Sequence, residues 1–229
     1  MIELPEQPGG VHPHVLVANC DYAELAKDQL HHLEKVRRLR KGDLVSITDG
    51  KGNWRWCAFT ASAKLEPIGD VVSENEPPLY TIGLSLTKGA KPDFAITKLV
   101  EIGIRRIIPF TSDRSIVKWD EEKTEKSQER FSRLVVEALQ QSRQVWLPVV
   151  EATTSFAQLA TQSGVVRADR FAPAYTGEET FLLIGPEGGW SDTEQQELPA
   201  VSLGSSVLRA ETAAIVAGTL MVARHRSGQ

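Results

Sequence analysis

Cysteine is scarce in this chain. Only Cys20 and Cys57 occur in 229 residues, without metal-ligand spacing and far below the density of a secreted disulfide scaffold, so a reducing cytoplasm is the expected setting. The opening MIELPEQPGG has no basic stretch followed by an apolar one. No apolar run approaches the roughly 18 residues a membrane span needs, and no membrane partner is expected. An excess of positive charge is missing as well. The formal net charge is -4, so any case for nucleic acid must come from local clustering. His12, His14, His31 and His32 come in close pairs but without acidic or cysteine partners at ligand spacing, and no metal is expected. The glycine loop at 185–189 lacks both a closing Lys-Ser or Lys-Thr and the Gly-x-Gly-x-x-Gly spacing, which excludes a triphosphate loop and a dinucleotide fold.

What is present reads as a globular α/β protein of one large or two modest domains, with 41% apolar and 24% charged residues, which excludes disorder. SENEPPL (73–79) is acidic and doubly proline-punctuated, and the pattern changes across it. This predicts a first domain over 1–74 and a second over 75–229. Before the boundary the signals are mostly β. HVLVA (14–18), DLVSIT (43–48), NWRWCAFT (53–60) and the stretch near 65–68 suggest a small β-barrel, with a glycine-rich hairpin turn at 49–52. Leu30, Leu33, Val36 and Leu39 recur every three residues and predict one helix over about 22–39.

After the boundary strand and helix alternate, which implies a parallel sheet flanked by helices. Strands are expected at 80–86, 105–110, 147–150, 181–184 and 201–204. A helix opens at Pro92 and stops at Gly103, and a long one runs from about 121 to 144. In the latter Phe131, Leu134, Val135, Ala138, Leu139 and Ser142 form one stripe. Ser191 with Glu194 makes a capping box, and Thr212–Arg224 closes the chain with a helix apolar nearly all round, which calls for burial by the sheet and by a partner subunit.

Two strands end in glycine loops about 20 residues apart, GPEGGWS (185–191) and LGSSVLRAET (203–212). In an open α/β sheet, ligands bind beyond the carboxyl ends of the strands. Residues without a Cβ let backbone N–H and C=O groups face a ligand directly, which suits a heteroaromatic base. Either loop alone reads equally well as a tight strand-to-helix turn.

LIGPEGGWS followed by SLGSSVLRAETA resembles the cofactor-binding signature of the knotted SPOUT methyltransferases. The closest resemblance is to the family that methylates N3 of a uridine in bacterial 16S ribosomal RNA of the small subunit. LTKGAKPDFAITKLVEIGIRRIIPFTSDRS (86–115), EALQQSR (137–143) and HHLEKVRRLRKGD (31–43) agree with it, so that it covers nearly the whole chain. The resemblance implies a PUA-like N-terminal barrel that binds RNA, a C-terminal domain with a deep trefoil knot, a homodimer, and S-adenosyl-L-methionine as methyl donor. Carried onto this chain, the cofactor contacts fall on Ile184, Gly185, Pro186, Glu187, Gly188 and Gly189, on Leu203 and Gly204, and on Val207, Leu208, Arg209, Thr212 and Ala213. Glu187 reads either as a pair within its loop or as a ligand contact. The chain departs from the pattern at Phe131, where tryptophan is common, at Gln144, where a second arginine often stands, at its extreme N-terminus, and in RADRFAPAYT (167–176), which lacks a histidine-containing strand ending.

Lys35, Arg37, Arg38, Arg40 and Lys41 crowd into one short stretch and form the expected RNA-binding patch, joined by Lys88, Lys91 and Arg143. A solvated helix face is the alternative for such a run. Trp54 and Trp56 alternate about Arg55, which offers stacking on bases or burial. Methyl transfer to an imide nitrogen requires a proton acceptor or cations that stabilise the developing imidate. Arg114, Arg209 and Glu211 are the catalytic candidates, and Lys98 with Glu101 reads as a helix-surface pair. Two other functions fit the same features: a non-catalytic RNA-binding or ribosome-assembly factor on the same scaffold, and ribose 2'-O methylation of transfer RNA.

Overall fold

The computed structural model describes residues 4–117 and 121–227. The chain forms two compact units, Met1–Pro77 with Leu139–Leu147, and Pro78–Ala138 with Pro148–Gln229.

The first unit contains β1 (His14–Leu16), α1 (Lys27–His31), a π-helical turn (His32–Val36), β2 (Leu44–Thr48), β3 (Asn53–Ala58), β4 (Glu66–Pro67) and β5 (Val72–Ser73). β1 lies parallel to β2, and the remaining pairs are antiparallel. The β2–β3 hairpin forms where its turn chemistry predicts. Gly50 and Gly52 take positive φ, and the Asp49 carboxylate accepts the Lys51 and Asn53 backbone N–H groups at 2.7 and 3.2 Å. Alternation along the strands sends Val45, Ile47 and Cys57 into one core with Leu33 and Phe59.

Two expectations are corrected here. The helix predicted over 22–39 spans only residues 27–36, because Arg38 turns into the left-handed region at φ 56 and Leu39 N–H bonds back to the Leu33 carbonyl at 3.0 Å. Leu30, Leu33 and Leu39 still reach the core, whereas Val36 is left 63% exposed. Trp54 and Trp56 are not free to stack on bases. Both are 3% exposed, meet edge to face at 6.3 Å, and pack with Val145 from the segment 139–147 that belongs to this unit.

The second unit contains β6 (Thr81–Ser85), α2 (Lys91–Ile102), β7 (Arg106–Thr111), most of α3 (Glu121–Ser142), β8 (Val149–Val150), β9 (Thr154–Ser155), α4 (Phe156–Ala160), β10 (Val165–Ala168), β11 (Phe181–Ile184), α5 (Asp192–Glu197), β12 (Ala200–Val201) and α6 (Ala210–Ser227). Its sheet runs β12-β10-β11-β6-β7-β8, with β9 also on β7, and every pair is parallel. α2 starts with Pro92 in its first turn and ends at Gly103, whose φ of 108° a side chain would strain. α6 begins two residues before the predicted start and packs on α2. A Cβ on Gly218 would come within 3.0 Å of Leu99 and 3.1 Å of Ile104. The structure adds β9, the short helix α4 and β10 to the sequence reading, and the strand expected over 201–204 stops at Val201.

His14 shows how polar groups are handled in the first unit. Its ring is buried, with Nε2 3.1 Å from the Gln144 carbonyl and Nδ1 2.8 Å from Ser46 Oγ. A carbonyl only accepts, so the neutral ring carries its proton on Nε2, and the Ser46 hydroxyl donates to Nδ1. Burial lowers the His14 pKa from 6.5 to about 4. Above the unfolded value both states are neutral. As pH falls from 6.5 to about 4 the unfolded chain takes a proton that the folded chain refuses, and stability drops by up to about 3 kcal/mol. Urea unfolding at pH 7 and pH 5 is expected to show about half of this loss, and His14→Gln to flatten it. An equal loss in the variant would remove the imidazole as its source.

Candidate functional site

All strands of the second sheet run parallel, so the loops after β6, β7, β10, β11 and β12 leave from one edge. β10 separates β11 from β12. Arg167 pairs with Leu183 on one side and Ala200 on the other, so Ile184 and Val201 end at one level, opposite Ala168. Two strand spacings put these exits about 10 Å apart. The two glycine loops therefore emerge side by side across a third strand.

The first loop stands on aromatic packing. Trp190 stacks on Phe110 at 6.2 Å and donates its Nε1–H to the Ala168 carbonyl at 2.9 Å. A Cβ on Gly185 would lie 2.8 Å from this indole, so glycine is required there by packing. Gly189 has φ +71 with open space around it, and glycine there is required by conformation alone. Glu194, only 2% exposed, accepts Ser191 N–H at 2.8 Å and Asp113 N–H at 3.1 Å. Ser191 Oγ accepts Glu194 N–H at 3.2 Å and donates to Asp113 Oδ2 at 2.6 Å. The capping box of α5 thus also ties the loop after β7 to the loop after β11. Ser115 completes that β7 loop, its hydroxyl accepting Ser112 N–H at 2.9 Å and lying 3.0 Å from Ser85 Oγ.

Of the residues carried over for the cofactor, Ile184 and Pro186 are buried, Gly185, Leu203, Leu208 and Ala213 are half-buried, and Glu187, Gly188, Gly189, Gly204, Val207, Arg209 and Thr212 are exposed. Glu187 is ion-paired with Lys91 of α2, so its partner lies outside its own loop. The hydrogen bond from Lys91 and that residue's charge hold the Glu187 carboxyl below the usual range, and Arg209 adds a weaker pull from the second loop. Arg114 reaches the first loop, with Nη1 3.4 Å from the Gly188 carbonyl and Nη2 3.8 Å from Asp192. Lys91 and Arg114 thus meet the loop at 185–189, and the charge of Arg209 is felt there.

Two observations bear on whether a nucleoside cofactor fits. None of the backbone N–H groups of residues 205–209 donates to an acceptor among the described residues, and Val207 is 78% exposed. Glu211 Oε2 is buried without a hydrogen-bond partner among the described residues. The buried carboxylate oxygen at the start of α6 suits a ligand that donates a hydrogen bond, and the water-exposed N–H groups before it are open to an acceptor.

The expected RNA-binding residues fall in both units. Lys35, Arg37, Arg38, Arg40 and Lys41 are all exposed and form no ion pair among the described residues. Arg37 and Val36, with His12 and Leu39, line a cavity of about 360 Å³. Arg143 has φ 62, and its stem lies against Gly9, where a Cβ would come 2.1 Å from its Cδ. Lys88 is exposed in the second unit, three residues before the paired Lys91. Lys98 and Glu101 form the anticipated helix pair at 2.7 Å. Sequence reasoning missed Asp113 and Glu194 as joints between loops; the Ser191–Glu194 box was the available signal for the latter.

A parallel sheet with two glycine exits at one carboxyl edge, in a chain whose smaller unit carries a basic turn, is matched by RNA-modifying enzymes. Residues 74–222 match the RNA methyltransferase domain family, and residues 25–68 match the RNA methyltransferase PUA domain. The chain is 34% identical to the ribosomal RNA small subunit methyltransferase E of Synechocystis over 84% of its own length and 70% of that protein's. For the Bacillus subtilis protein of that name the identity is 29%, covering 83% of this chain and 85% of the relative. The crystal structure of a ribosomal RNA small subunit methyltransferase E from Neisseria gonorrhoeae bound to S-adenosyl methionine superposes with a TM-score of 0.80 at 26% identity, covering 92% of this chain and 96% of that one. The chain belongs to the RNA methyltransferase family that includes the ribosomal RNA small subunit methyltransferases E.

The packing around Trp190 makes a specific prediction. Gly185→Ala is expected to cost about 1–3 kcal/mol, because the indole is pinned by a stack and a hydrogen bond and cannot yield. Gly189→Ala is expected to cost about 1 kcal/mol, from backbone strain alone. Thermal unfolding of both variants measures the difference; equal shifts would exclude the indole as the reason for glycine at 185.

Proposed function

We propose that the protein methylates N3 of a uridine in bacterial 16S ribosomal RNA of the small subunit, with S-adenosyl-L-methionine as donor. One observation carries this reading. The two glycine loops leave the sheet at one level, and Lys91 and Arg114 make contacts with the first of them. When bound, the cofactor supplies an electrophilic methyl group.

On this reading the backbone of Ile184–Gly189, Leu203, Gly204 and Val207–Ala213 holds the donor. The free N–H groups of 205–209 give hydrogen bonds and Glu211 Oε2 receives one. Arg114 and Arg209 face the target base and stabilise the negative charge that grows on the uracil as N3 gives up its proton to solvent water and takes the methyl group. Lys88 and Lys91 of the second unit and Lys35, Arg37, Arg38, Arg40, Lys41 and Arg143 of the first contact RNA phosphates. A PUA-like domain over 1–74 and a catalytic domain over 75–229 follow from the same reading, although the compact units divide after Pro77 and residues 139–147 group with the first of them; a deep trefoil knot around the loops that lead into α6 belongs to that reading too. Homodimer formation belongs to the same reading. No helix among the described residues is long and apolar enough to cross a membrane, which agrees with a cytoplasmic site of action.

Calorimetry with S-adenosyl-L-methionine is expected to show one site per chain; an absence of binding at high ligand concentration would leave only the scaffold reading. Arg114→Ala is expected to slow methyl incorporation into small-subunit RNA by about 100-fold with donor affinity retained. Unchanged turnover would remove Arg114 from the reaction. Replacing Arg37 and Arg40 by Ala is expected to weaken RNA binding and lower the slope of log affinity against log salt by about 0.7 for each single-strand phosphate that is no longer neutralised. An unaltered slope would return the turn to a plain solvated surface.

A further inference from the structure

The turn that follows β10 plays no part in the site as described so far, yet it leaves the sheet between the two glycine loops. Phe171 is 84% exposed on this turn. The Arg170 guanidinium sits 4.4 Å from its ring centroid, so one face is covered by a cation and the other is bare. We propose that Phe171 is a stacking platform for an unpaired base of the RNA substrate, with Arg170 drawing in the strand's phosphates; this rests on the RNA-methyltransferase reading above.

A lone exposed apolar side chain needs no explanation. This one differs in its support. Asp169, ion-paired with the buried Arg167, accepts Phe171 N–H at 3.0 Å, and its own carbonyl accepts Ala172 N–H at 3.2 Å. Asp169 N–H bonds to the Val201 carbonyl at 2.9 Å, and Ser202 Oγ donates to the Arg170 carbonyl at 3.3 Å. These bonds fix the turn to the exit of β12. The bond from Trp190 Nε1 to the Ala168 carbonyl ties the preceding residue to the loop after β11. The ring is thus presented on a fixed support, and little ordering cost remains to be met on binding.

Charge selects the occupant. A guanidinium on one face raises the positive potential at the ring, which favours a base carried on a polyanion and disfavours a sulfonium cation. Unpaired RNA bases are recognised by stacking on aromatic rings and guanidinium planes. Phe171 would therefore position RNA without touching the methyl donor.

The test separates ring, bulk and reading. Phe171→Leu keeps an apolar side chain without a π face, and Phe171→Trp keeps the stack. Phe171→Leu is expected to lower kcat/KM for small-subunit RNA roughly 10- to 100-fold, the size of one missing base–aromatic stack, with calorimetric affinity for S-adenosyl-L-methionine unchanged. Phe171→Trp is expected to stay within about threefold of wild type, since the tolerance of stacking for ring identity is general. In parallel, 4-fluorophenylalanine at position 171 is expected to shift its fluorine resonance on addition of single-stranded uridine-containing RNA and not on addition of the methyl donor. Wild-type kinetics in Phe171→Leu, or no shift with saturating RNA, overturns the platform alone. A shift with the donor assigns the ring to the cofactor, and loss of the dimer in Phe171→Leu assigns it to a subunit interface; either overturns the proposal. If the wild-type protein transfers no methyl groups to RNA, the methyltransferase reading falls, and the fluorine shift still decides whether the ring meets RNA.

Discussion

Parallel pairing of β10 with both β11 and β12 is the constraint on which the candidate site depends. A register slip of one residue in either pair would reverse which face each side chain takes and move one glycine exit away from the other. Short strands of two to four residues hold this register only weakly by themselves. The additional fixing comes from hydrogen bonds beyond the ladder: Asp169 N–H to Val201 O, Ser202 N–H to Pro173 O, Tyr175 N–H to Ser202 O, and Trp190 Nε1–H to Ala168 O. These bonds lie at the carboxyl edge, where the loops depart. The same groups that set the register therefore also build the floor of the site.

Rigidity is unevenly distributed along that edge. The loop after β11 is anchored by Trp190 and by the carboxylate of Glu194, which satisfies N–H groups from two loops at once. The segment 205–209 has no such anchors among the described residues and leaves its N–H groups without partners there. Burying a carboxylate costs little where several donors meet it, and Glu194 meets that condition. Unpaired backbone donors persist because the segment is exposed to water. One loop therefore serves as a fixed wall, and the other carries the free hydrogen-bonding capacity.

Much of this was legible in the sequence, and the exceptions share a cause. The Ser191–Glu194 box, Pro92 with Gly103, and the glycine hairpin at 49–52 are local codes, and each appears where its residues predict. The second duty of Glu194 was not legible, because Asp113 lies 81 residues away and no local rule links them. β10 was missed because its four residues include Arg167, a charge that reads as solvent-facing until Asp169 and the Gln195 carbonyl are seen to receive it. Trp54 and Trp56 alternate correctly, but period alone does not say what covers their face. The period of Leu30, Leu33, Val36 and Leu39 was real, yet Arg38 ended the helix by a left-handed turn that arginine composition does not announce.

A net charge of -4 and an RNA substrate are compatible once charge is considered by location. At the loop after β11 the carboxylate of Glu187 is taken up by Lys91, while Arg114 retains only long, solvent-screened contacts to Gly188 and Asp192. In the other unit five cations between residues 35 and 41 have no acidic partners among the described residues. On the proposed reading the site must hold a cationic donor and a polyanionic acceptor at one sheet edge, and positive side chains alone would repel the first. Backbone N–H groups and a partnerless Glu211 oxygen at the donor's position, with guanidinium groups kept for the acceptor, resolve that conflict. Side-chain charge then selects RNA, and the exposed main chain before α6 selects the nucleoside.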